Sequence, residues 1–280
     1  MDCHFPFTST AANPTQKVTP MIISVINHTN GQISDEELET AIRAINRQIR
    51  EDFEPYWSLG ATLRLEGRSQ KSPGKQDLAD MRGDAIIYMW NQTDMKDALG
   101  YHDQNNRGIP YGFVFTDLSA KLGENWTVTL SHEGLELIGD PEANLLVQGP
   151  HPKDPKRAVF HWYEMCDAVQ AETYKIDDIE VSNFVLPLYF TGGDELGGRN
   201  DFLSRAYEGK TLKSFSINPG GYVGFFDPQT DKHETFSMKS DKKAQERLKY
   251  KLKTDTARVI RHQFLTSSRD KPCDRIGKKK

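Results

Sequence analysis

Cysteine is scarce in this chain: Cys3, Cys166 and Cys273 are the only three in 280 residues, widely separated and odd in number. That excludes a disulfide framework and a zinc site built from cysteine pairs, so a metal would have to be held by histidines and carboxylates. Long apolar runs are absent as well. None approaches the roughly 20 residues a membrane-spanning helix requires, and the opening MDCHFPFTSTAANP lacks a basic segment followed by an apolar one. The expectation is a cytoplasmic protein with no membrane segment. No internal repeat is visible, and Gly192, Gly193, Gly197 and Gly198 match no phosphate-binding fingerprint, so they are expected to form a flexible loop.

What is present is ordinary folding material, 36% hydrophobic and 10% aromatic, enough for one or two domains with a substantial core. Charge is unevenly spread. Residues 238 to 280 carry 15 Lys or Arg against five Asp or Glu, so the tail stands near +10 while the rest of the chain stands near −14. Such a tail reads first as a solvated helix and frayed end, and second as an electrostatic arm for nucleic acid or another polyanion. With only Tyr250 and Phe264 among its aromatics, base stacking is not supported.

The expected organisation is a polar lead-in over 1–17, one domain over 18–235 and the basic tail over 236–280. The domain divides into a sheet-and-helix half to about residue 140 and a C-terminal half after it. PMIISVINHT reads as a first strand, followed by a helix in SDEELETAIRAINRQIREDF. There Ser34 and Glu37 have capping-box spacing, and Leu38, Ile42, Ile45, Ile49 and Phe53 recur at helical intervals until Pro55 stops the helix. ATLRLEG, DAIIYMW and YGFVFTD supply three more strands. KSPGKQD and ALGYHDQNNRGIP are expected as loops. RAVFHWYEMCDAVQAETY, EVSNFVLPLYF and GGYVGFFD follow as further short elements. The fold class is α+β.

The helix expected over Asn125 to Gly139 divides into two sides. Trp126, Leu130, Gly134, Leu137 and Ile138 form a core side, while Thr129, His132, Glu133 and Glu136 cluster on the other. His132-Glu133-x-x-Glu136 sets a histidine and a glutamate one turn apart, at a separation one metal ion can bridge, with Glu133 beside them as a general base. Glu136 is a harder oxygen ligand than a second histidine would be, which lowers selectivity for zinc over other divalent ions. The same letters also occur on plain solvated helices. Asp140 lies about 12 Å further along the axis, too far to share the ion, and is expected to stand behind the ligands or to end the helix. Glu164 is the expected third ligand and Asp167 the residue that accepts the N–H of His132. His102 is a candidate to polarise a substrate carbonyl or to supply an alternative ligand. His161 and Cys166 are expected to be packing residues.

Ala98-Leu99-Gly100-Tyr101-His102-Asp103, Ser131-His132-Glu133-Gly134-Leu135-Glu136 with Asp140-Pro141, Tyr163-Glu164-Met165-Cys166-Asp167-Ala168-Val169 and Pro219-Gly220-Gly221-Tyr222 together resemble a group of bacterial and phage-type predicted metallopeptidases of the zincin class. The likeness covers about residues 20 to 228, with Glu136 standing where zincins carry a second histidine. It implies a zincin-like mixed sheet with an active-site helix and a mixed C-terminal subdomain. It also implies Zn2+ or another divalent ion, and a peptide or protein substrate added as a strand to an edge expected at Tyr111 to Asp117. The leading expectation is a metal-dependent hydrolase cleaving a peptide or related amide bond. The alternatives are a zincin-like module that binds without catalysis and, last, a polyanion binder acting through the tail.

Overall fold

The computed structural model describes residues 20–67, 82–91, 100–104, 108–191 and 198–238. The lead-in over 1–17, Cys3, Cys273, most of the glycine-rich segment near 195 and all but Met238 of the basic tail lie outside the described residues. The chain mixes α and β elements, and its first half builds one five-stranded sheet.

Strand β1 (Met21–His28) leads into helix α1 (Asp35–Gln48), and β2 (Ala61–Glu66) returns parallel to β1. The capping box forms as expected. Ser34 N–H donates to Glu37 Oε2 at 2.8 Å while Glu37 N–H donates to Ser34 Oγ at 3.2 Å, which satisfies two donors that the helix start leaves unpaired. Pro55 does not end the helical path. A π-helical turn over Ile49–Phe53 carries it into α2 (Glu54–Trp57), where proline is tolerated because a first turn needs no N–H at that position; left-handed Ser58 stops it instead.

The sheet continues with β3 (Ala85–Trp90), β4 (Gly100–Gln104) and β5 (Pro110–Phe115), in the order β2-β1-β3-β5-β4. All pairings are parallel except that of β4, which runs antiparallel along β5. Two expectations are corrected here. Gly100–Gln104, read as loop because of its polar letters, is a strand, and it occupies the edge assigned to Tyr111–Asp117; β5 is interior, and the chain turns at Thr116 into α3 (Thr116–Lys121). Strand periodicity sorts the two faces. Tyr88, Phe113 and Tyr101 stack on one side, whereas Ile23, Val25, Leu63, Ile87 and Val114 face the helices on the other.

Helix α4 (Trp126–Gly139) lies on that helical side, with Leu130, Leu135, Leu137 and Ile138 in the same core as Leu38, Ile42 and Ile45 of α1. After it come β6 (Leu146–His151), β7 (Asp154–Trp162), β8 (Thr173–Ile176), β9 (Ile179–Ser182), β10 (Tyr222–Asp227) and β11 (Lys232–Ser237). They form a four-stranded antiparallel sheet in the order β11-β10-β7-β6 and a separate β8-β9 hairpin. A buried polar network joins the halves. Ser131 Oγ donates to Gln48 Oε1 at 2.7 Å, Gln48 Nε2 donates to the Ser182 carbonyl at 2.8 Å, and Ser182 N–H donates to Ser131 Oγ at 3.1 Å, so α1, α4 and β9 share one closed set of bonds. Among the described residues no helix is long and apolar enough to cross a membrane.

Two glycines should respond oppositely to alanine. A Cβ on Gly221 would sit 2.1 Å from the Ala168 carbonyl oxygen, so Gly221→Ala forces backbone apart and is expected to cost about 1–3 kcal/mol. A Cβ on Gly134 would meet nothing nearer than Leu63 Cδ2 at 3.8 Å, so Gly134→Ala should stabilise by up to about 1 kcal/mol through helix propensity. Urea denaturation midpoints of the two variants check both signs.

Candidate metal centre

Helix α4 begins where Asn125 accepts the N–H of Thr127 at 3.1 Å, and Thr127 Oγ1 donates to the Glu180 carbonyl at 2.7 Å, fixing the helix against the β8-β9 hairpin. From Thr127 to Gly139 every residue is buried. His132, Glu133 and Glu136 are 7%, 2% and 3% exposed, so the solvated-helix interpretation of this motif does not hold. Ionisable groups removed from water this far require compensation by partners, protons or a cation.

The partners arrive from two directions. The segment after β7 brings Asp167 to the helix, tied down by Cys166, whose N–H donates to Glu136 Oε1 at 3.3 Å and whose thiol donates to the His132 carbonyl at 3.9 Å. Met165 fills the space that a side chain at Gly139 would take, with its Cε 2.2 Å from where that Cβ would be, so the helix end and this segment pack backbone to side chain. The edge strand β4 arrives from the other side. Because Tyr101 points to the aromatic face, its neighbours Gly100 and His102 point to α4. A Cβ on Gly100 would lie 2.6 Å from Glu133 Oε1, so the strand reaches Glu133 because that position is bare.

The distances assign the groups. His132 Nε2 lies 3.1 Å from Glu136 Oε1 and 3.3 Å from Asp167 Oδ1, so two carboxylates converge on one imidazole nitrogen. Asp167 thus faces the same imidazole nitrogen as Glu136. Glu164 does not share a helical face with Asp167: it precedes the single 3-10 turn that Asp167 opens, lines a narrow cleft with Asp167, Trp162 and Tyr189, and bears on His102 through its charge. Asp140 ends the helix, accepting the N–H groups of Asn144 at 3.1 Å and Leu145 at 2.9 Å. His161 packs against Phe215 with ring centroids 4.7 Å apart, as a core histidine does.

His102 faces Glu133 Oε2 at 3.7 Å and Glu136 Oε2 at 3.9 Å, with its side chain 4% exposed. Burial lowers its pKa, but the bond to Glu133 and the fields of Glu164 and Glu136 outweigh that and push it up to about 9. Four carboxylates therefore gather around two imidazoles. Among the described residues two groups of side chains could hold a metal ion: His132, Glu136 and Cys166 in one, His102, Glu133 and Glu136 in the other, the ligand atoms of each within 4.8 Å of one another. The role of Gly100 escaped the reading of the sequence. A glycine two residues before a histidine in a strand-length segment was the available signal for it.

Comparison with known proteins adds no relative: neither the protein-family models nor the curated proteins contain a match to this chain.

Burial is the largest effect raising the Cys166 thiol well above its usual range, and the neighbouring Glu136 adds to it. Cys166 should accordingly stay unmodified by iodoacetamide in the native protein at pH 8 and react once urea unfolds it. Peptide mass spectrometry resolves that site.

Proposed function

We propose that the chain is a metal-dependent hydrolase of the zincin type, with zinc as its cation and a peptide or related amide bond as its substrate. The observation that carries this reading is the convergence of Glu136 and Asp167 on Nε2 of His132, with Glu133 one residue along the same buried helix. The donor set suits the assignment: one imidazole nitrogen and two carboxylate oxygens match the three-ligand pattern of a catalytic zinc site and also accept other borderline divalent ions. His132, Glu136 and Asp167 would hold the ion. Bound there, a divalent cation lowers the pKa of a water molecule and polarises a carbonyl.

The remaining work belongs to the protein's own groups. Glu133 takes the proton from the attacking water and returns it to the leaving amine, the two halves of general base and general acid action. His102, 3.7 Å from Glu133 Oε2, restrains that carboxylate, and Gly100 lets the edge strand lie against it. Among the described residues β4 pairs with β5 on one side only, and its other edge would offer backbone groups to an extended peptide lying beside Glu133. The likeness of the four sequence motifs to zincin-class metallopeptidases points the same way.

A second reading has its own observation. Cys166 belongs to the buried group with His132 and Glu136, and a thiol joining His132, Glu136 and Asp167 would close the coordination sphere as in a structural site. In that case the metal raises stability and nothing is hydrolysed.

One experiment separates them. In protein purified without a histidine tag and loaded with zinc, Glu133→Gln should keep its metal by elemental analysis yet lose about 10²-fold or more of its hydrolysis of a peptide library. Equal hydrolysis by the variant defeats the mechanism. Metal binding that raises the melting temperature without any hydrolysis by the native sequence establishes the structural reading instead.

A further inference from the structure

We propose that the centre holds a second divalent cation, bound between His102, Glu133 and Glu136 and sharing Glu136 with the first. The inference rests on the reading of His132, Glu136 and Asp167 as a metal site and extends it to a neighbouring position. Glu136 is the pivot. Its Oε1 turns toward His132 at 3.1 Å and its Oε2 toward His102 at 3.9 Å, so the carboxylate presents one oxygen to each side, the arrangement of a bridging ligand. Glu133 Oε2 stands 3.7 Å from the same His102 Nδ1.

Three further observations support the position. Its ligand atoms all lie within 4.8 Å of one another, and two ligands at about 2.1 Å from one ion stand at most about 4.2 Å apart, so only a slight contraction is required. The donors are one imidazole and two carboxylates, the same chemistry as the first site, so both positions accept the same borderline ions, zinc, manganese or cobalt. Charge makes the third argument. Glu133, Glu136, Glu164 and Asp167 bring four acidic groups to this buried region, an arrangement that a divalent cation compensates.

His102 is also held in place by its strand. Gly112 lies opposite it on β5, and a Cβ there would be 3.7 Å from the His102 Cβ and 3.2 Å from the Tyr101 carbonyl oxygen, so the strand pair is tight at this point. Filling the second position has a consequence for the chemistry: it takes Glu133 Oε2 as a ligand and withdraws the proton acceptor. The second cation therefore opposes hydrolysis, and activity peaks near one equivalent.

The test is a metal titration of the full-length, tag-free protein after chelator treatment, with bound zinc counted by elemental analysis after equilibrium dialysis. Two zinc ions per chain are expected for the native sequence and one for His102→Ala, with His102→Asn as a second variant and circular dichroism reporting the fold of each. Manganese gives an independent readout, since two ions sharing a carboxylate produce a spin-coupled resonance spectrum at two equivalents. One ion per chain in both native and variant protein overturns the second position and leaves the hydrolase reading standing. No bound ion in the native protein overturns both.

Discussion

Helix α4 places a histidine and two glutamates where water does not reach, and the surrounding structure is organised by the need to compensate them. A buried carboxylate without partners is costly enough that it would take up a proton rather than stay charged. Here compensation comes from separate parts of the chain: the Cys166 N–H on Glu136, Asp167 opposite His132, and His102 between Glu133 and Glu136. None of these partners is local to the helix. The site therefore exists only when the edge strand and the segment after β7 are both docked, which couples the chemistry to the completion of the fold.

The supporting layer follows from the same demand. Behind the helix, Gln48, Ser131 and Ser182 satisfy one another in a closed set, and Gln48 Nε2 also donates to Tyr174 OH, which in turn donates to Asp52 Oδ2 at 2.7 Å. Burying Ser131 next to His132 is affordable because its hydroxyl both donates and accepts there. In front, close approach depends on missing side chains. Gly100 against Glu133, Gly139 against Met165 and Gly221 against Ala168 are three places where a Cβ would meet occupied space, and all three border the buried histidine–carboxylate cluster or the segment that completes it.

This explains which parts were legible in the sequence. The capping box, the period of α1 and the spacing of His132, Glu133 and Glu136 are local, and a helix repeats them on one face whatever lies around it. The edge strand was not legible because a strand beside a polar site carries polar letters: Gly100, His102 and Asp103 suppress the apolar alternation that marks a half-buried strand. Asp167 was legible as a partner of His132, beside which it stands at 3.3 Å. Which imidazole nitrogen it faces is set by the tertiary fold, and no spacing along the chain contains that information. Glu164 and Asp167 stand three positions apart, a spacing that shares one face on a helix and not across the start of a short 3-10 turn.

The glutamate at position 136 makes sense in this geometry. An imidazole there would present one nitrogen to His132 and leave the other to find its own partner. The carboxylate offers two oxygens, and one of them already meets both His132 Nε2 and the Cys166 N–H while the other faces His102. It thus ties the segment after β7, the helix and the edge strand to one side chain. A second histidine would give up the contact toward His102 or the one toward Cys166. The glutamate at 136 is in that sense matched to how many elements converge at this point on the helix.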